Sequence, residues 1–327
     1  FGGGTPSLMP SFIISNIIDK LASIAKLDAS TEITLEANPT SVESTKFQEF
    51  ALSGINRVSL GVQSFNSDDL KFLGREHSLP EAIAAIEIAK KHFKRYSFDL
   101  IYALPNQTLN AWEHELSKAL KIADKHISLY QLTIEKGTPF YSLHQKKRFK
   151  IPGEELARDF YDLTQDIMEG QGLPAYEISN HAESNEECRH NLAYWQYDEF
   201  IGIGPGAHGR INGQAMYSIY HPENWLNKAL KQESTIQSCI NLTLNEKICE
   251  YLLMGLRLTK GVNQQDFIDK IGHGFEYLAQ DKLAYLIEHD FLKLTNNHLL
   301  TTKSGRLVLN YIISQLIDEE GLKHGTK

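Results

Sequence analysis

The stretch Ile33-Thr34-Leu35-Glu36-Ala37-Asn38-Pro39, then a helical pattern over 42–52, then Arg57-Val58-Ser59-Leu60-Gly61-Val62-Gln63, decides the fold. Two short apolar runs of strand character flank an amphipathic segment, and Asn38-Pro39 punctuates the first junction. Strands joined through a helix pair in parallel, because a crossover of this length returns the chain to the same end of the sheet. The unit repeats outward. Further strands are predicted over 96–103, 127–133, 175–179 and 200–203, and helices over 11–26, 80–91, 108–123 and 153–169. This alternation predicts an α/β fold with a parallel sheet, open or closed into a (β/α) barrel.

From about residue 221 the character changes. Helical patterns over 242–258, 264–271, 275–288 and 304–317 enclose a short hairpin around Asn296-Asn297-His298. Residues 1–220 therefore predict the (β/α) domain, and 221–327 a smaller, mainly helical domain of winged-helix-like pattern. With 33 Lys and Arg against 41 Asp and Glu, the net charge of −8 speaks against a nucleic-acid binder. The basic run Lys146-Lys147-Arg148 reads as a solvated loop. No apolar run reaches the roughly 20 residues of a membrane span; peripheral membrane contact is left open. Cys188, Cys239 and Cys249 are too scattered for a disulfide framework or a metal-ligand set. A reducing, cytoplasmic location is the expectation, with no metal ligands in this chain.

Ligands of parallel α/β folds bind at the carboxyl ends of the strands. Glu36, Gln63 and Thr133 close predicted strands, Asp99 lies within another, and Gly2-Gly3-Gly4-Thr5 forms a turn where a strand is expected to precede it. Polar groups at successive strand ends beside a triple-glycine loop predict a cleft rimmed by carboxylates, an amide and a hydroxyl. Phosphate is a rival ligand for the glycines, weakened because no Lys or Arg follows them and Pro6 lacks a backbone donor. A second cluster, Cys188-Arg189-His190-Asn191-Leu192-Ala193-Tyr194-Trp195, precedes the glycine-rich run 202–209. An imidazole for a metal, aromatic faces for a flat ligand and a guanidinium for carboxylates suit a porphyrin.

Gly2-Gly3-Gly4-Thr5-Pro6-Ser7, Leu35-Glu36-Ala37-Asn38-Pro39, Ser59-Leu60-Gly61-Val62-Gln63-Ser64-Phe65, Leu73-Gly74-Arg75 and the segment from Asp99 to Thr108 together resemble the radical S-adenosylmethionine (SAM) family of oxygen-independent coproporphyrinogen III oxidase. His190-Asn191-Leu192-Ala193-Tyr194-Trp195 is similar to the HNxxYW motif of its heme-chaperone branch. The resemblance covers nearly the whole chain. It implies a partial radical SAM barrel whose first strand and cluster loop lie upstream, since the family's CxxxCxxC ligands to a [4Fe-4S] cluster are not in this sequence. It implies SAM contacts at Gly3, Gly4, Thr5, Glu36, Gln63, Arg75, Asp99, Thr133 and His208. For heme it implies His190 as ligand to the iron, supported by Arg189, Tyr194 and Trp195. The expected role is binding heme and passing it to acceptor apoproteins; the alternative is oxidative decarboxylation of porphyrinogen propionates. No residue is assigned a catalytic role.

Overall fold

The computed structural model describes residues 1–317. Contacts divide the chain into two compact units, Phe1–Glu187 and a second beginning at Cys188. That division falls ahead of residue 220, where composition placed it. The segment carrying the His190 motif goes with the second unit because the helix Arg189–Trp195 packs there: the Arg257 guanidinium lies 4.5 Å from the Trp195 ring centroid.

The first unit is built on one five-stranded sheet in the order β1 (Thr34–Ala37), β2 (Arg57–Gln63), β3 (Arg95–Tyr102), β4 (His126–Gln131) and β5 (Asn180–Ala182). Strands β1 to β4 pair in parallel. β5 does not continue the pattern; it pairs antiparallel, with Ile127 opposite His181. The strand predicted over 175–179 is instead a reversal of the chain. The Glu177 carboxylate accepts from the Ser179 amide at 2.8 Å and the Asn180 side chain at 2.6 Å, closing a tight turn. Phe1 lies along the free edge of β1 in parallel register, donating to the Thr34 carbonyl at 2.7 Å and accepting from the Glu36 amide at 3.0 Å.

One face of this sheet is apolar and covered. Leu35, Val58, Leu60, Val62, Phe98, Leu100, Ile127 and Leu129 pack against Phe47, Phe50, Ile86, Trp112, Leu116 and Phe160 from the helices. Trp112 is fully buried, stacks on Tyr102 at 5.2 Å and donates its indole N–H to Thr164 at 2.8 Å, so its polar edge is satisfied inside the core. Helix starts follow the sequence: Ser78 and Glu81 form a reciprocal capping box, and Thr108 caps the helix Leu109–Ala119.

The second unit holds a three-stranded antiparallel sheet, β6 (His208–Ile211), β7 (Gln214–Ser218) and β8 (Ile236–Asn241). The sequence reading missed it, although Asn212-Gly213, both at positive φ, is the usual signal of a two-residue hairpin. The run 200–203 is no strand; Phe200 alone bridges to Arg210. Gly202 sits so close to His208 that a Cβ would fall 2.0 Å from its carbonyl oxygen. The helices Leu244–Gly255, Gln264–Ile271, Gln280–Glu288 and Leu309–Leu316 accompany a second small sheet. In it β11 (His298–Thr301) lies between β10 (Leu292–Thr295) and β9 (Val262–Asn263). The predicted hairpin turns at Asn296 and Asn297, both left-handed. No helix among the described residues is long and apolar enough to cross a membrane.

Candidate functional site

The other face of the five-stranded sheet is polar almost throughout. Because side chains alternate, the partners of an inward residue on a parallel neighbour also point inward. Register places Thr34 beside Arg57, and Arg57 beside Arg95; Glu36 beside Ser59, and Ser59 beside Ser97; Asp99 beside Ser128, and Ser128 beside Asn180. Glu36 and Asp99 thus share a face with a row of serines, and Asp99 lies in the middle of β3 rather than at its end.

Loops at the carboxyl ends of the strands complete the mouth. Gly2 lies against the Glu36 carboxylate: a Cβ there would meet Oε1 at 2.9 Å. Gly3 and Gly4 have φ of 70° and 50° with open space beside them, so their backbone can approach a ligand closely. Buried Glu43 fastens this loop to the one after β1: it accepts from the Ser7 hydroxyl, from the Asn38 amide at 2.9 Å and from the Asn38 side chain at 3.3 Å. At the end of β2 the register slips between Leu60 and Gln63, and Gln63 takes a left-handed φ of 73°, rare for a residue with a side chain. Its amide curls back over Gly61, where a Cβ would stand 3.0 Å away. Buried Glu115 pins the following turn, accepting from the Ser64 hydroxyl and the Phe65 amide, both at 2.6 Å. Burial raises the Glu115 pKa, and these two donors partly offset the rise. Arg75 is delivered by Gly74, whose φ of 68° ends the helix Ser67–Phe72.

Charge is concentrated where these loops meet the sheet. Loss of water around Asp99, although part of its surface is accessible, lifts its pKa to about 6; Glu36 pushes the same way, and Ser128, Arg57 and Ser59 oppose it. Burial lowers the Arg75 pKa, and Asp99 counters that. Loss of water at its hydroxyl raises the Tyr130 pKa, although the residue as a whole is exposed, and Asp99 and Glu177 add to the rise. The structure therefore brings together Gly2–Gly4, Glu36, Gln63, Arg75 and Asp99. Thr133 stands exposed just beyond β4, its hydroxyl 3.3 Å from the Gln131 carbonyl. His208 opens β6 in the other unit, exposed and edge-on to Tyr217 at 4.6 Å.

A cradle of open glycines, carboxylate acceptors and an amide suits a ligand rich in ammonium and hydroxyl donors, which is the chemistry of SAM. A cluster is another matter. Cys188 is buried, Cys239 exposed and Cys249 half-buried, and no three His, Cys, Asp or Glu side chains among the described residues converge to hold a metal. The described residues supply no cluster ligand set.

In the second unit, His190 and Tyr194 sit one turn apart on the helix Arg189–Trp195, ring edge to face at 4.8 Å. Tyr194 continues onto Phe200 at 4.5 Å. Arg189 and His190 are exposed. Trp195 turns the other way, under Arg257, and lines a cavity of about 440 Å³ with Tyr251, Asp266 and Lys270. An accessible imidazole with an aromatic neighbour and an adjacent guanidinium fits heme.

Comparison with known proteins bears on the same two regions. The radical SAM superfamily signature matches residues 1–119 and the HemN C-terminal domain matches 242–308. The heme chaperone HemW of Buchnera aphidicola (from Schizaphis graminum) is 36% identical over 97% of this chain and 83% of its own. That of Bacillus subtilis is 32% identical over 97% and 84%. A mitochondrial radical S-adenosyl methionine domain-containing protein 1 of Danio rerio is 36% identical over 81% of this chain, which spans 62% of that relative's length. Among solved structures, coproporphyrinogen III oxidase (HemN) from Escherichia coli, described as a radical SAM enzyme, superposes with a TM-score of 0.77. That match covers 97% of this chain and 76% of HemN at 21% identity, which establishes a shared fold. With relatives this similar aligned along nearly its full extent, the chain belongs to the radical SAM, HemN-like family that includes the proteins named heme chaperone HemW.

Proposed function

We propose that this chain binds heme at the helix Arg189–Trp195 and passes it to acceptor apoproteins, while the polar mouth of the first unit binds SAM. One observation carries the reading: the His190 imidazole is exposed and braced edge-on by Tyr194, in a chain whose relatives are named heme chaperones. A neutral imidazole nitrogen is a good axial donor to iron, and Arg189 on the same helix supplies a guanidinium for a propionate. An exposed ligand also suits delivery, since an acceptor must reach the macrocycle before this protein lets go.

In the mouth, Glu36 and Asp99 accept from the ammonium and hydroxyl groups of SAM, Gln63 offers an amide, and the Gly3–Gly4 backbone lies open to the ligand. Arg75 balances the carboxylates, and Thr133 is a further proposed contact. SAM together with an iron–sulfur cluster supplies radical chemistry when both are bound; the protein's share is to hold and orient. We place the protein in the cytoplasm because its three scattered cysteines build no disulfide framework. Porphyrinogen decarboxylation, by contrast, draws on likeness of fold to HemN, and fold alone does not carry an activity. Titration of heme into wild type and His190→Ala is the test. The variant is expected to lose at least tenfold in affinity with an altered Soret band, and an unchanged spectrum and affinity would remove His190 from the site.

A further inference from the structure

We propose that Arg57 is a positioning residue, which through Ser97 and Ser59 holds the Asp99 carboxylate charged and turned as an acceptor toward the ligand in the mouth. The inference rests on reading that mouth as the SAM site. Arg57 is almost wholly buried, at 3% exposure, on the polar face of β2. Its guanidinium donates to the Ser97 hydroxyl at 2.8 Å, the Ser97 and Ser59 hydroxyls lie 3.0 Å apart, and Asp99 follows Ser97 by two residues on the same face of β3. A guanidinium can only donate and a carboxylate can only accept. A relay through the two hydroxyls therefore has one direction: Ser97 accepts from Arg57 and gives to Ser59, which gives to the carboxylate. A chain with one allowed direction polarises each link and stabilises charge at its accepting end. Ser128 stands opposite Asp99 on β4 and places a further hydroxyl in the same row.

The arrangement has a clear purpose at this position. Asp99 is short of water and faces Glu36 from β1, which favours a protonated carboxyl. Opposing this are Arg57 from below and Arg75 from the loop above; the Tyr130 hydroxyl on β4 is the remaining titratable neighbour and stays protonated. His126, one row below Ser128 on the same strand, is held neutral by burial and by Arg57, so it contributes no charge near pH 7. A protonated Asp99 would offer a donor where the ligand also brings donors.

The test is a titration of the Asp99 carboxyl carbon by NMR in aspartate-labelled protein, paired with SAM binding by equilibrium dialysis from pH 5 to 8. In wild type the carboxyl is expected to titrate near pH 6, with SAM affinity falling as it becomes protonated. Arg57→Gln should move both midpoints up by about one unit, the size of effect a nearby opposite charge exerts. Ser97→Ala, which cuts the chain without changing charge and is the milder change to the fold, should move them up by about half as much. Arg57→Lys should restore the wild-type midpoint in part. Midpoints that stay at the wild-type value in folded Ser97→Ala and Arg57→Gln would overturn the relay. Asp99→Asn separates the two readings: if it leaves SAM affinity and its pH profile untouched, the mouth is not the SAM site and both fall.

Discussion

The two candidate sites are built by opposite means. In the first unit, side chains converge from four strands, and buried partners fix each one: Glu43 under the glycine loop, Glu115 under the Gln63 turn, Arg57 behind Asp99. In the second, His190 and Tyr194 share a single seven-residue helix, with His190 exposed and Tyr194 half-buried. A site of the first kind is pre-organised and linked to stability; a site of the second kind can exchange its ligand and be altered at little cost to the fold. The proposed reading, a retained cofactor in the first site and a transferred cargo at the second, needs that difference, and it can be broken by measurement.

The largest expected effect is on the pH dependence of stability. Asp99 holds its proton in the folded state to about pH 6 against a reference of 3.8, so its contribution falls as pH rises from about 4 to about 6. His181, fully buried, has a pKa lowered to about 4 by burial, and His126 is shifted the same way. Their contributions run oppositely: they are lost as pH falls below the reference of 6.5, because only the unfolded chain takes up the protons. In wild type the slopes oppose. Asp99→Asn removes one of them, so its stability should drop by about 2 kcal/mol between pH 6.5 and 4.5, relative to the wild-type change. Urea unfolding at three pH values checks this; identical profiles would mean that the Asp99 carboxyl keeps an ordinary pKa in the folded state.

Next in size is Glu43→Ala. It leaves the Ser7 hydroxyl and both Asn38 donors without their acceptor, at a cost of about 2 kcal/mol. The glycine loop should loosen with it, seen as faster amide exchange over Gly2–Ser7. Gly61→Ala is smaller still for the fold. The new methyl meets only the flexible end of Gln63, so stability should change by less than about 1 kcal/mol. Yet Gln63 must leave its place, and SAM affinity should fall several-fold. If affinity holds while Gln63 is displaced, Gln63 is not a contact.

The same contrast explains what could be read from sequence. Repeated strand–helix units announced the sheet, the predicted strand ends singled out Glu36 and Gln63, and alternation singled out Asp99, because strand runs and period two are written directly into the residues. It could not announce Glu43 or Glu115, which are ordinary helix carboxylates until the fold brings Ser7 or Ser64 beside them. Arg57 and the serines were legible as strand residues, but their row across three strands is a matter of register, which sequence leaves free. The reversal at Glu177 was hidden because its turn is made by side-chain acceptance, without glycine or proline to mark it. Asn212-Gly213 did carry its signal, and the sheet β6 to β8 could have been found from it.

The smallest expected effect is the sharpest test of the comparison. His190 is exposed, and substitutions of exposed side chains usually shift stability by about 0.5 kcal/mol, so His190→Ala should do no more. Thermal unfolding of heme-free protein should therefore be nearly superimposable on wild type, while the same sample loses heme affinity. Tyr194→Ala should cost more, because that ring also packs on Phe200 at 4.5 Å. A large loss of stability in His190→Ala would make this histidine a structural residue like His126, and the distinction between a pinned site and a surface site would dissolve.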